Sequence, residues 1–191
     1  MAGRPRDSGL EKRLVAAGWE LLTTDGYDAL AMAQVAVKAG AHRTDVYRRW
    51  PSKARLVVDV LAEYLPPVPD VDTGSLLNDL RAFVQDLAKA WNSPWNDGLV
   101  GLLADLRHDE EANAAFKQIV AQRDQPVVNA IARAVQRGEI GQVPELPLVG
   151  DLLEGPLMHR RVFGGRPLSA DDLEVVTRSA YRLLTGTAVT A

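Results

Sequence analysis

One fifteen-residue stretch, residues 39–53 (AGAHRTDVYRRWPSK), constrains the fold of this chain more than any other segment. Gly40 favours the left-handed backbone that closes a helix. Pro51 disfavours the helical region for the residue before it, and Ser52 offers a side-chain oxygen that caps a new helix. The sequence therefore predicts a short basic helix over residues 43–49, framed by two others as in a helix-turn-helix.

The rest of the chain shows apolar residues at helical spacing, and strand-like alternation is nowhere sustained. We therefore predict an all-α fold of about nine helices. Pro126 is expected to interrupt or kink the seventh helix. The predicted helices cover residues 8–24, 31–39, 43–49, 52–64, 75–91, 97–107, 110–137, 148–163 and 170–184, and the first of them ends near Gly26.

The net charge of −3 conceals a division along the chain. Residues 1–55 carry ten Lys and Arg against six Asp and Glu, whereas residues 56–191 carry twelve against nineteen. A local basic surface on an acidic protein is typical of a small part that meets a phosphate backbone, although a solvated basic face gives the same pattern. We predict a helix-turn-helix domain over residues 1–55 and a larger helical domain over 56–191.

Several classes of function are disfavoured by what the sequence lacks. There is no cysteine, and the three histidines, His42, His108 and His159, are scattered, so no metal site and no cofactor is expected. No nucleophile elbow and no Gly-rich phosphate loop is present, which argues against an enzyme with catalytic residues. No apolar run reaches membrane-spanning length and no signal-peptide core is present, so we expect a cytoplasmic protein without membrane partners.

The acidic run that follows His108 has the composition of a metal site but not its geometry. Asp109, Glu110 and Glu111 are successive residues, and successive residues at a helix start do not converge on one ion. A capped helix start, stabilised by the helix dipole, is the better interpretation.

Several motifs around the basic helix resemble the amino-terminal domain of the TetR family of transcriptional regulators. The resemblance spans residues 10–60 without a gap from Gly26 to Lys53. Later segments resemble a carboxy-terminal domain found in that family. The motifs are Gly26-Tyr27, Met32, Val35-Ala36, Ala39-Gly40, the run YRRWPSKA from Tyr47, and Leu56; the later segments are RGEI from Arg137, GPL from Gly155 and GRPL from Gly165.

The resemblance implies a ligand-responsive DNA-binding regulator, most often a repressor. It implies a homodimer formed through the last two long helices, a double-stranded DNA operator of near-palindromic sequence, and an unidentified small-molecule effector that releases the DNA. The alternative is a helical ligand-binding or interaction protein whose helix-turn-helix has lost operator binding.

The expected DNA contacts lie on the basic helix and at its flanks. Exposed residues of such a helix can reach base edges and phosphates, and Lys53 at the next helix start combines an ammonium with free backbone N–H groups. Arg4 and Arg6 resemble a minor-groove arm, with a disordered tail as the alternative. The predicted contacts are Arg4, Arg6, His42, Arg43, Thr44, Tyr47, Arg48 and Lys53.

Three positions depart from the family pattern. Ala31 stands where a threonine usually opens the second helix, and His42 where a serine usually caps the third. Asp45 is the third departure: it stands where a small residue or a threonine usually precedes the hydrophobic one, and a carboxylate there would repel a nearby phosphate. It either reads a cytosine amino group or turns away to cap the helix or to pair with Arg48 or Arg49.

Aromatic and apolar residues of the larger domain are candidates for an effector cavity, although such residues more often form ordinary core. The candidates are Phe83, Trp91, Trp95, Leu103, Phe116, Met158 and His159. His159 beside two arginines suits an anionic ligand, with a dimer contact or solvent exposure as the alternatives. In the smaller domain, Val46 and Trp50 lie four residues apart and are expected to point inward.

The last two helices carry more apolar residues than one buried face needs in a single chain. We expect them to form a four-helix bundle across a two-fold axis, with Gly155, Ser179 and Ala180 allowing close approach. The apolar residues are Leu148, Val149, Leu152, Leu153 and Leu157, and then Leu173, Val176, Ala180, Leu183 and Leu184.

Overall fold

The computed structural model describes residues 8–93, 96, 99–141, 146–164 and 166–186. Nine α-helices and no strand are found in these ranges, so the predicted all-α class is confirmed. The helices are α1 (Ser8–Ala29), α2 (Met32–Lys38), α3 (Arg43–Arg49), α4 (Lys53–Tyr64), α5 (Leu76–Trp91), α6 (Leu99–Leu106), α7 (Glu110–Gln136), α8 (Leu146–Gly164) and α9 (Ala170–Thr185).

Most helix boundaries lie within two residues of their predicted positions, and the basic helix α3 has the predicted bounds. The exception is the carboxyl end of α1. Gly26 has the positive φ of 79° that the prediction expected of a helix end, yet a further helical turn follows it as far as Ala29. Pro126 lies inside α7, which runs without a break from Glu110 to Gln136, so the predicted interruption is wrong.

The chain forms two compact units, which are described separately. The first consists of Met1–Pro66 and Pro94–Ile119, and the second of Pro67–Ser93 and Val120–Ala191. These units are discontinuous in sequence, because α6 and the start of α7 belong with the first four helices. The domain boundary predicted between residues 55 and 56 does not coincide with the bounds of these units, and it stays a prediction.

The first unit is built around the packing of α1 against α4. Gly18 is a close-approach position, since a Cβ atom there would lie 2.8 Å from a methyl group of Val60. Val46 and Trp50 are buried, which confirms the predicted inward face of α3. The Trp50 indole N–H donates to Asp59 of α4 over 2.8 Å, so its polar atom is paired as well.

The second unit packs α5 against α8 and α9 over an apolar core that includes Leu80, Val84 and Leu153. Its first segment, the connection before α5, is held by polar contacts. Asp79 of α5 is buried and accepts hydrogen bonds from the backbone N–H and the hydroxyl of Thr73, at 2.7 and 2.6 Å. Arg133 pairs with Asp70 at 2.9 Å and donates to a backbone carbonyl of the same segment. The Pro-rich connection is therefore fixed in place.

The apolar residues of α8 divide between two faces. Val149, Leu153 and Leu157 are buried within the chain, whereas Leu148 and Leu152 are 48% and 41% exposed. On α9 the exposed apolar residues are Val175 and Leu183. Part of the predicted dimer stripe is thus core, and a separate apolar face remains outside it.

Of the three small residues expected to allow close helix approach, one is buried within the chain and two are accessible. Ala180 is 3% exposed, because it packs within its own chain. The expectation that it meets a partner subunit is therefore wrong for this residue. Gly155 faces open space, and Ser179 is exposed.

Candidate nucleic-acid interface

The turn before α3 has the geometry of a Schellman helix end. Gly40 has a φ of 63° and donates its N–H to Val37, while the N–H of Ala41 reaches Ala36 over 2.9 Å. His42 then takes extended backbone angles at the N-cap of α3, without a side-chain capping bond. The missing Ser or Thr cap, a departure seen in the sequence, is therefore not replaced by another side chain at this position.

The outer face of α3 is exposed and carries most of the predicted DNA contacts. Between the exposed positions lie the buried Val46 and Trp50, which fix the rotation of the helix. Tyr47 is 55% exposed, an unusual position for a large aromatic side chain in an unliganded domain. The exposed residues are His42, Arg43, Thr44, Tyr47 and Arg48.

Asp45 turns back onto its own helix. Its carboxylate pairs with Arg48 at 2.8 Å and with Arg49 at 3.8 Å, and its backbone carbonyl accepts from Arg49. Of the two alternatives for this residue, the geometry matches pairing with the neighbouring arginines. The carboxylate is thereby neutralised where it would otherwise repel phosphate.

Lys53 is less free than the sequence suggested. Its ammonium donates to the backbone carbonyl of Tyr27 over 3.0 Å and lies 4.1 Å from the centre of the Tyr27 ring. The side chain is partly exposed, and its contact with a phosphate stays a prediction. An ammonium has three donors, and two remain for a phosphate.

Tyr27 connects the start of α4 to α6. The ring is buried, and its hydroxyl donates to Asp105 over 2.5 Å. Burial and this hydrogen bond raise the pKa of the phenol far above its ordinary value, so it stays protonated and a donor. A Cβ atom on Gly101 of α6 would lie 2.8 Å from the Tyr27 ring and 2.5 Å from a carboxylate oxygen of Asp28.

The start of α4 is capped by Ser52, as predicted. The Ser52 hydroxyl oxygen accepts the backbone N–H of Arg55 at 2.9 Å, and the same hydroxyl donates to Asp109. Asp109 also accepts the backbone N–H of Ala112 at 2.9 Å and so caps α7. These hydrogen bonds, that from Ser52 first, lower the pKa of Asp109. The interpretation of the acidic run as a capped helix start is confirmed.

The predicted effector-pocket residues that the structure describes are divided between the two units. Leu103 and Phe116 belong to the first unit, and Phe83 and Trp91 are buried side chains of the second. Met158 and His159 are exposed on α8, and solvent exposure is one of the alternatives given for His159; their role in a pocket stays a prediction. The His159 ring lies 5.2 Å from that of Phe163, also exposed.

Trp95, Arg4 and Arg6 lie outside the described residues. Their predicted roles therefore stay predictions. Trp91 lines a small recess together with Leu157, Arg161 and Leu168; of the predicted pocket residues that the structure describes, Trp91 alone contributes to it.

Sequence reasoning missed a group of partly buried charged residues in the second unit. Glu154 of α8 accepts the indole N–H of Trp91 at 2.9 Å, and burial raises its pKa above the ordinary value. Burial also raises the pKa of Asp124 on α7, with a further contribution from Asp151. Arg123 offsets part of the negative charge, although burial lowers its own pKa. The charged residues of α7 and α8 are far apart in sequence and share no motif, so local sequence patterns could not predict that they lie together.

Within the described ranges, no set of three or more histidine and acidic side chains is placed to hold a metal ion. Nor does any described helix combine the length and apolar character needed to cross a membrane.

Family comparisons agree with this architecture. Residues 14–60 match the model of bacterial regulatory proteins of the tetR family, and residues 70–180 match that of the tetracyclin repressor-like C-terminal domain. The chain belongs to the TetR family. As expected of this family, it is a DNA-binding transcriptional regulator and not an enzyme.

Individual relatives of the chain cover most of its length. It is 34% identical over 155 residues to the DNA-binding transcriptional repressor TetR of Mycobacteroides abscessus, covering 80% of this chain and 82% of that protein. It is 30% identical to the transcriptional regulator AqdR of Rhodococcus erythropolis, covering 81% and 74%.

Among solved structures, the TetR-family regulator SCO0332 superposes with a TM-score of 0.71 at 24% identity, over 95% of this chain and all of that one. At this identity the likeness shows the fold alone.

Proposed function

We propose that this TetR-family regulator is a repressor that binds a near-palindromic operator as a homodimer and is released by a small-molecule effector. The observation that carries the DNA-binding part is the outer face of α3. Five polar or cationic residues are exposed there while Val46 and Trp50 hold the helix from inside. Such a face fits the major groove, with Arg43 and Arg48 within reach of guanine edges or phosphates.

The exposed apolar residues of α8 and α9 support the proposed dimer. Leu148, Leu152, Val175 and Leu183 are each at least 41% exposed, and a patch of this kind on a soluble chain marks an interaction site. A two-fold axis through this face would pair each helix with its copy. Two recognition helices would then meet successive major grooves about 34–36 Å apart.

Release by an effector is supported by the partly buried polar group in the second unit. Trp91, Glu154 and Asp124 place an aromatic side chain beside carboxylates whose ionised forms are disfavoured. Buried titratable groups of this kind mark candidate functional sites. A ligand that binds one arrangement of the dimer more tightly would change the spacing of the two α3 helices.

Asp45 weighs against the alternative of a protein that has lost operator binding. That alternative depended on the carboxylate and on the missing serine cap at His42. Because Asp45 pairs with Arg48 and Arg49, its charge is not presented alone on the outer face.

The test is to recover DNA from a pool of random fragments with the purified protein and to sequence it. We expect a near-palindromic site whose binding weakens as salt rises. Tyr47→Ala should weaken binding to that site by about 0.5–1.5 kcal/mol, the size of one lost hydrogen bond. Tyr64→Ala is the matched control, since Tyr64 lies at the far end of α4 and stacks on Trp19. Recovery of no enriched sequence would overturn the proposal.

A further inference from the structure

The carboxylate of Asp109 is shared by the first turns of two helices. One oxygen accepts the backbone N–H of Ala112 in α7, and the other accepts the hydroxyl of Ser52. The Ser52 oxygen in turn accepts the N–H of Arg55 in α4. A continuous path of hydrogen bonds therefore runs from the start of α7 to the start of α4.

This arrangement is electrostatically favourable for an ionised Asp109. Helix N-termini carry partial positive charge, and a carboxylate between two of them is stabilised by both. Accepting the Ser52 proton also polarises that hydroxyl and strengthens it as the acceptor for Arg55. The lowered pKa of Asp109 agrees with this environment.

A second link reaches the same end of α4 from α6. Asp105 accepts the Tyr27 hydroxyl, and the Tyr27 carbonyl and ring hold the ammonium of Lys53. Asp105 and Asp109 flank the short connection between α6 and α7. Both residues at the start of α4 are therefore tied to that connection. Ser52 contacts Asp109 directly, and Lys53 is linked to Asp105 through Tyr27.

We infer that Asp109 is a positioning residue for DNA binding, which sets the place of the α4 N-terminus through Ser52. The inference rests on the proposed operator binding, in which Lys53 and the first N–H groups of α4 hold a phosphate. A phosphate contact requires hydrogen-bond distances, so a small displacement of this turn removes it. Movement of the α6–α7 connection would reach the DNA contact by this route.

The opposing expectation comes from charge alone. Asp109 is negative and lies beside an end of α4 that is predicted to meet phosphate, so removing its charge favours DNA binding electrostatically. The two effects have opposite signs. A variant at this position therefore distinguishes positioning from repulsion.

The experiment uses the full-length protein and the operator fragment that the wild type selects. Asp109→Ser keeps one oxygen to cap α7 but lacks the second that Ser52 needs. Ser52→Ala removes the other partner, and a double variant completes the cycle. Glu110→Gln is the matched control, because it removes one negative charge at the next, exposed position. Affinity is measured by fluorescence anisotropy well below the melting temperature of every variant.

We expect Asp109→Ser to bind the operator about tenfold more weakly, the size of a hydrogen bond to a charged group. Ser52→Ala should lose a similar factor, and the double variant should be no weaker than the weaker single variant. Glu110→Gln should bind as the wild type or slightly more tightly. A merely structural role would lower the melting temperature without this non-additive loss of affinity.

The inference is overturned if Asp109→Ser binds like Glu110→Gln, or if the two single losses simply add. A wild type that binds no operator would instead contradict the proposed function. Should Asp109→Ser fail to fold, Asp109→Asn serves in its place, because it keeps the size of the side chain but has one acceptor oxygen instead of the two that cap α7 and accept the Ser52 hydroxyl. We expect the same direction of change, together with faster hydrogen exchange at the Arg55 amide; unchanged affinity and exchange would overturn the inference.

Discussion

The outer face of α3 and the outer face of α8 and α9 are both exposed in the single chain, but they are unlike in chemistry. The α3 face is polar and cationic, whereas the α8 and α9 face presents Leu148, Leu152, Val175 and Leu183. Water solvates the first face well and the second poorly. The first is therefore suited to a partner that brings phosphates, and the second to a partner that brings apolar surface.

The two faces also differ in how they are supported. The short α3 depends on Val46 and Trp50 beneath it, because seven residues do not form a stable helix alone. The long α8 has its own buried stripe of Val149, Leu153 and Leu157. Disturbing the support of α3 should therefore remove its face entirely, while α8 should keep its structure when its outer face is altered.

The largest expected effect is on the support of α3. Trp50→Ala should lower the free energy of unfolding by about 3–5 kcal/mol, because a buried indole is lost and Asp59 loses a hydrogen bond. Chemical denaturation measures this change. Trp19→Ala is the matched control, since Trp19 is half-buried and stacks on Tyr64, and its loss should be smaller. Equal losses in the two variants would contradict the support described here.

The apolar face is tested by placing a charge on it. Leu152→Asp should dissociate the dimer, because a carboxylate would have to be buried in an apolar interface. Sedimentation should then shift from about twice the 20.8 kDa chain mass to the mass of one chain. The helical circular dichroism should be retained. Leu103→Asp, at a similarly exposed leucine of α6, should remain dimeric; a dimeric Leu152→Asp would place the interface elsewhere.

A third prediction tests whether Lys53 contributes a phosphate contact to the polar face. Lys53→Ala should weaken operator binding and lower the magnitude of the salt slope by about 0.9, as expected when one phosphate contact is lost. Affinities measured at several salt concentrations give this slope. Lys117→Ala removes an exposed lysine from α7 and should leave the slope unchanged. If Lys53→Ala also leaves the salt slope unchanged, Lys53 makes no phosphate contact and serves only to hold Tyr27.

The smallest expected effect concerns Glu154. Its pKa is raised by burial above the ordinary 4.5, so its contribution to stability is complete below that pH and is lost as pH rises through the raised value. Glu154→Gln can still accept the Trp91 indole N–H and has no such loss. The melting temperature of Glu154→Gln should therefore rise relative to that of the wild type as the pH increases through this range. Asp151→Asn, at an exposed neighbour, should show a smaller change.

The recognition helix could be predicted to the residue because its boundaries are local. Gly40 and Pro51 act on their own backbone and on that of their immediate neighbours, and Val46 and Trp50 reveal the inward face by spacing alone. The same reasoning identified the five exposed residues of α3. It could not foresee that Lys53 turns to Tyr27, because a contact between residues so far apart has no trace in local spacing.

The effector-pocket residues stay a prediction for a related reason. Aromatic residues at helical spacing are chosen both for cores and for cavities, and the sequence does not separate these uses. Phe83 became core, while Met158 and His159 became surface. The polar group around Glu154 was overlooked because its charges come from different helices. Likewise, Asp109 was recognised as a cap of α7, but not as the partner of Ser52.

The close approach of Gly101 to Tyr27 has a consequence for the substitutions that this protein can accept. Gly101 is partly exposed, so a survey based on burial would rank it among the tolerant positions. Yet any added carbon meets a ring that is fixed by its hydroxyl, its carbonyl and the surrounding core. In a saturation-mutagenesis experiment, position 101 should accept no larger residue, not even alanine, while exposed positions nearby such as Val100 should vary freely.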